Sequence, residues 1–212
     1  MWRTLSPQWQ CVFEQAVRAF REGNIPIGAA LFDENGGLVA ADRNRINNDS
    51  RTRKIKGLNS RLSHAEINVL RLLDTSEYDP ESLTLYTTME PCPMCMGTAL
   101  MSNIRYIRYA ALDPYCGMTH LAQSEPYYMS KQIDCCHEGG EAEQFQLAMQ
   151  CITELRRLSD GKSDVVYRQF RSYAPKAAAD AERLYNNSTF AKLEVELLAD
   201  ELYDFIISET GI

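Results

Sequence analysis

Residues 87–97 read TTMEPCPMCMG and place Cys92 and Cys95 three apart. Taken alone, such a pair is a redox couple, two core thiols or half of a metal site. Upstream, residues 63–70 read SHAEINVL and add His64 and Glu66. Both segments carry the marks of a helix start, and a spacing of three puts Cys92 and Cys95 one turn apart on one face. The positive end of their helix favours the thiolate. His64, Cys92 and Cys95 would supply three protein ligands to one Zn2+ per chain. A water or hydroxide would take the fourth tetrahedral position, the arrangement of a catalytic rather than a structural zinc. Glu66, two residues from a ligand, is placed to take a proton from that water and pass it on.

These side chains need elements to hold them. Ser6-Pro7 caps a predicted helix that runs to about Arg21, with Trp9, Val12, Phe13, Ala16, Val17 and Phe20 on its apolar face and Gly23 at its end. IPIGAALFDENGGLVAADRN (25–44) reads as a hairpin turning at Asn35-Gly36. SLTLYTTM (82–89) and IRYIRYAAL (104–112) read as strands, HAEINVLRLLD (64–74) and PCPMCMGTALMS (91–102) as helices. The alternation predicts a three-layer α/β/α domain over 1–160 with a central mixed sheet. Beyond it, 161–212 is predicted to be a helical extension, broken near Pro175 and restarted at Ser188, that packs on the domain or on a partner.

The chain has 212 residues, 45% hydrophobic and 24% charged, with a formal charge of −7. That supports one buried core and excludes a surface that grips nucleic acid throughout. The N-terminus lacks an apolar stretch of signal-peptide type and carries Glu14. No run reaches the roughly 18 apolar residues of a membrane span. Seven cysteines without framework spacing suggest reduced thiols and a cytoplasmic protein, with no membrane partner.

The stretch from about Ile25 to Asp113 resembles the cytidine-deaminase-like zinc deaminase superfamily. It is most similar to the branch of guanine deaminases and tRNA adenosine deaminases. IPIGAAL, RNR around Asn44, HAE, and TLYTTMEPCPMCMGTAL carry the likeness. A histidine as first ligand and Glu90 before Pro91 set this branch apart from the free cytidine deaminases. The resemblance implies the zinc roles for His64, Cys92 and Cys95, and the proton-shuttle role for Glu66. It implies that Asn44 hydrogen-bonds a bound base and that the backbone amides of Ala65 and Cys92 help hold the substrate. The expected activity is that of a hydrolase, releasing ammonia from a purine or pyrimidine base or nucleoside.

The substrate is less clear from the residues. NSRLSH stands where many relatives carry an Asp-Pro-Thr type of run. The segment between Asn44 and His64 is basic, with Arg45, Arg51, Arg53, Lys54, Lys56 and Arg61 against Asp49. It could meet the phosphates of tRNA, or be a solvated loop. Downstream, ALDPYCGMTHLAQSEPYYMSKQID offers no basic groove, and Tyr115, Tyr127 and Tyr128 could stack on a base. A small base or nucleoside is therefore the expected substrate, with tRNA adenosine as the alternative. A non-catalytic zinc-bearing scaffold is a third reading, which Glu66 argues against. Cys116 and His120 are weak candidates for a fourth ligand. In Cys135-Cys136-His137, neighbouring side chains of a strand face opposite ways and do not share a metal. A homodimer is expected; the apolar C-terminal helices pack by default on their own domain, with dimerisation or capping of the pocket as the alternative.

Overall fold

The computed structural model describes residues 1–47 and 60–210. Arg51, Arg53, Lys54 and Lys56, the centre of the basic segment, lie outside the described residues. The first helix, α1 (Pro7–Arg21), begins where expected: the Ser6 hydroxyl accepts from the Trp9 amide, and Pro7 occupies the first turn. Gly23, at φ +74°, turns the chain out of the helix. Strands β1 (Gly28–Phe32) and β2 (Leu38–Arg43) then pair antiparallel. Asp33 Oδ1 accepts from Asn35 and Gly37 amides at 2.9 and 2.7 Å and fixes the turn between them.

Helix α2 (Ala65–Leu70) is shorter than the helical spacing suggests, because the Leu72 and Leu73 amides tighten onto Val69 and Leu70 carbonyls. β3 (Thr84–Met89), α3 (Pro93–Met101) and β4 (Tyr106–Ala111) follow. Two short helices, α4 (Leu121–Ser124) and α5 (Pro126–Ser130), lead to β5 (Asp134–His137). The sheet order is β2-β1-β3-β4-β5. β1 pairs antiparallel with β2 and β3, whereas β3-β4 and β4-β5 are parallel, so the sheet is mixed and β3 central.

Alternation along the strands builds two cores. Ala29, Leu31, Leu85 and Ile107 face α2 and α3 with Val69, Met96, Ala99 and Leu100. Ala30, Phe32, Met89 and Ala110 face α1 and α6 (Gly140–Ser159). Gly28 marks the closest approach of sheet and helix: a Cβ there would stand 2.0 Å from the Val12 carbonyl oxygen. This is a three-layer α/β/α arrangement.

The C-terminal segment folds as α7 (Val165–Tyr173), α8 (Pro175–Tyr185), α9 (Ser188–Glu196) and α10 (Ala199–Thr210). Phe170, Leu184, Phe190, Leu202, Tyr203 and Ile206 are buried in the same cluster as α1 and α6. Tyr203 packs at 4.6 Å from Phe145 and 5.6 Å from both Trp2 and Phe13. Buried side chains of this size contribute roughly 1.5–3 kcal/mol each. The extension thus completes the core on the sheet face opposite α2 and α3. No described helix is long and apolar enough to cross a membrane.

Candidate active site

His64 and Cys92 occupy equivalent places. Each is the extended residue before a helix, ψ 154° and 174°, and neither side chain caps its own helix. Both are therefore free to point across the gap between α2 and α3. Cys95, one turn into α3, completes the group. Cys92 Sγ lies 3.5 Å from Cys95 Sγ and 3.7 Å from His64 Nδ1, and Cys95 Sγ lies 3.6 Å from that nitrogen. Zinc bonds of about 2.3 Å to sulfur and 2.0–2.1 Å to nitrogen imply tetrahedral edges of roughly 3.5–3.8 Å. Donor types and spacing both fit zinc, and these three are the one such cluster among the described residues.

The two sulfurs are hydrogen-bonded at 3.5 Å, and this contact draws the Cys92 pKa down to about 4 despite burial. The same hydrogen bond, together with burial, pushes Cys95 well above the ordinary thiol range. Burial opposes the charged form of His64, but Cys92 and Glu66 together hold its pKa above the usual value.

Glu66, 3% exposed, lies in the first turn of α2. Its Oε1 accepts from the Thr87 hydroxyl at 3.3 Å, and its Oε2 is buried with no partner among the described residues. Burial raises its pKa above the ordinary carboxylate range, with the His64 charge opposing. A carboxyl so shifted holds a proton more readily than an exposed one, as a group that takes and returns protons must. Asn44 is 1% exposed. Its backbone amide donates to the Ile27 carbonyl and its Oδ1 accepts from the Ile46 amide. That leaves Nδ2, a buried donor without a partner among the described residues. The Ala65 N–H, first in α2, has no acceptor within its helix.

Sequence reasoning missed the residues that hold this group together. Asn68 Nδ2 donates to the Arg43 and Ser63 carbonyls at 2.8 and 3.4 Å, and the Arg45 amide donates to Ser63. The residues flanking Asn44 are thereby laced to the residue before His64. A buried asparagine on an apolar helix was the available signal. Thr87, facing α2 from β3, carried none, since threonine is common in strands.

Other candidates stand apart from the site. Cys116 Sγ donates to Asp113 Oδ2, and neither Cys116 nor His120 joins the cluster. Cys135 packs towards the core while Cys136 is exposed, as alternation requires. The His137 ring stacks on Tyr109 at 5.3 Å, with Nε2 3.2 Å from Glu143 Oε1. Tyr115 and Tyr127 are exposed, and Tyr128 packs against the core on the α3 side. Arg45 is paired with Asp42.

Several known proteins are similar to this chain. The chain is 32% identical over 128 residues to the tRNA-specific adenosine deaminase of Bacillus subtilis, an alignment covering 57% of this chain and 72% of that one. It is 34% identical over 84 residues to the probable cytosine deaminase of Schizosaccharomyces pombe, covering 40% and 46%. A solved guanine deaminase from Nitrosomonas europaea superposes with a TM-score of 0.49 at 21% identity, covering 70% of this chain and 84% of the other. The family model for the cytidine and deoxycytidylate deaminase zinc-binding region matches residues 6–111, half of the chain, including every residue of the His64, Glu66, Cys92 and Cys95 group. The chain therefore belongs to the cytidine and deoxycytidylate deaminase zinc-binding family.

Proposed function

We propose that this chain catalyses the hydrolytic, zinc-dependent deamination of a purine or pyrimidine base or nucleoside. The observation that carries the reading is the group of three donors at tetrahedral spacing, with Glu66 Oε2 and Asn44 Nδ2 both buried and without a hydrogen-bond partner among the described residues. A bound zinc supplies a Lewis acid that brings the pKa of a coordinated water towards neutrality. His64, Cys92 and Cys95 would hold it. Asn44 Nδ2 donates to an acceptor on the base and sets its orientation. Glu66 takes a proton from the attacking water and delivers it to the ring nitrogen beside the amine-bearing carbon. A second transfer through Glu66 carries the proton of the newly bound hydroxyl to the amine. The C–N bond breaks, a C=O bond is left behind, and the water and the amino group have become one oxo group and one ammonia.

The likeness to a tRNA-specific adenosine deaminase supports a second reading, in which the same chemistry acts on an adenosine within tRNA. A homodimer is the assembly we propose, with exposed Met101, Tyr127 and Met129 as available apolar surface. Light scattering tests that point. The reaction is tested by ammonia release from zinc-loaded protein against guanine, adenine, cytosine, their nucleosides and nucleotides, with Glu66→Ala as blank. Turnover of one small substrate, lost in the variant, supports the first reading. Silence across that panel with deamination of tRNA supports the second, and silence on both removes them.

A further inference from the structure

The loop after β4 is stapled to the peptide that leads into Cys92. Glu90, 8% exposed, directly follows β3, two residues before that ligand. Its Oε2 accepts from the Asp113 amide at 3.2 Å. Its Oε1 accepts from the Thr119 amide at 3.0 Å and the Thr119 hydroxyl at 2.5 Å. The Met118 amide adds a bond to the Pro91 carbonyl at 3.0 Å. Gly117 lies flat on the carboxylate: a Cβ there would stand 2.1 Å from Glu90 Oε2 and 2.4 Å from Cδ. One carboxylate therefore organises both ends of a seven-residue span, and glycine is what allows the close approach.

The inside of that span is built by a second carboxylate. Asp113 Oδ1 accepts from the Tyr115 and Cys116 amides at 2.9 and 3.1 Å, and Oδ2 accepts from Cys116 Sγ at 3.2 Å. The half-buried Cys116 thiol is held there by side chains of its own loop. The Met118–Pro91 bond sets this loop beside the peptide that leads into Cys92.

We propose that Glu90 is a positioning residue, clamping residues 113–119 against Glu90-Pro91 so that Cys116 forms a fixed wall of the substrate pocket. It acts on the loop, while His64, Cys92 and Cys95 hold together without it. The loss of the clamp then weakens substrate binding and leaves the chemical step intact. This rests on the deaminase reading for its kinetic consequence and stands apart from it for its structural one.

Two variants approach the clamp from opposite sides. Glu90→Gln keeps one acceptor oxygen but replaces the other with a donor facing an amide. Gly117→Ala keeps the carboxylate and forces it away. In zinc-loaded protein, alkylation of Cys116 by iodoacetamide, followed by mass spectrometry, is expected to quicken about tenfold or more in both variants as the loop opens. Exposed Cys136 serves as the internal reference and keeps its rate. Zinc content is expected to stay at the parent level. Against guanine, adenine, cytosine and their nucleosides, KM is expected to rise about tenfold with kcat within about threefold. Parental Cys116 labelling in both variants overturns the proposal. So does loss of zinc together with faster labelling, because Glu90 would then be supporting the metal group itself. A fall in kcat at constant KM also overturns it. If the parent turns over none of these substrates, the deaminase reading on small substrates fails, while the labelling still decides the clamp.

Discussion

The Thr87 hydroxyl donates to Glu66 Oε1 across 3.3 Å, joining the central strand to the first turn of α2. The other oxygen of that carboxyl is buried without a hydrogen-bond partner among the described residues. Thr87→Val should remove it at nearly constant volume and lower turnover about tenfold, while Thr87→Ser should restore most of it. Glu66→Gln should lower turnover by roughly 10²–10⁴ with zinc still bound. Steady-state rates beside metal content by atomic absorption decide this. A fully active Glu66→Gln protein would end the proton-shuttle assignment.

Removing the metal should cost stability. The three donors converge from two helices that are otherwise joined through the sheet. With free zinc some hundred- to thousandfold above its Kd, the folded state gains about 3–4 kcal/mol. Chelation should lower Tm accordingly, and His64→Ala should show a low Tm that added zinc does not raise. An unchanged Tm on chelation would mean that the cluster holds no metal in solution.

Gly28 is expected to be intolerant of any side chain. The ideal Cβ lies 2.0 Å from the Val12 carbonyl oxygen and 2.7 Å from the Ala16 nitrogen, both backbone atoms of α1. Gly28→Ala must push helix from sheet, at a cost of about 3 kcal/mol or more. Urea midpoints measure it, and a shift under about 0.5 kcal/mol would show that α1 gives way easily.

A chain ending at Asp160 should not fold. It would uncover the cluster that Phe170, Phe190, Leu202, Tyr203 and Ile206 now cover. Soluble yield and near-ultraviolet circular dichroism test this, and a well-folded product would make 161–212 a separable appendage. Together with the packing, this argues for proposing one domain whose last helices are part of its core.

Glu154 gives a pH dependence. Burial raises its pKa, with the Arg157 charge and the bonds from Arg157 and Gln150 opposing. Because the folded value lies above the unfolded one, the folded chain holds the proton more tightly. Its contribution to stability falls as pH rises from the ordinary carboxylate range through that higher value, then levels off. Glu154→Gln removes the titration. Its stability relative to the parent should therefore improve with rising pH across that window, in urea midpoints measured from about pH 4 to 7. A difference that is constant with pH would contradict the shift.

Much of the site was legible in the residues because its chemistry is local in sequence. A histidine and a glutamate two apart, and two cysteines three apart, meet wherever each pair opens a helix. The capping signals, Pro93 and the extended residues before it, say that they do. The hairpin at Asn35-Gly36 and the helix from Pro7 were readable for the same reason: turn chemistry and periodicity act over a few residues. The C-terminal helices were readable as amphipathic, but not where their apolar faces went. That depended on the tertiary structure, since burial is a property of partners more than 140 residues apart, such as Phe13 and Tyr203.

The chain by itself indicated the grouping of His64, Cys92 and Cys95, the nearness of Glu66 to it and the order of strands and helices, all of which follow from residue type and short spacing. Only the folded protein decided that Thr87 reaches Glu66, that Asn68 joins Arg43 to Ser63, and that Glu90 receives the loop carrying Cys116. Each of these is a hydrogen bond between segments far apart in sequence. Its existence depends on the register of the sheet, which places β3 between β1 and β4 and brings their ends together at one edge.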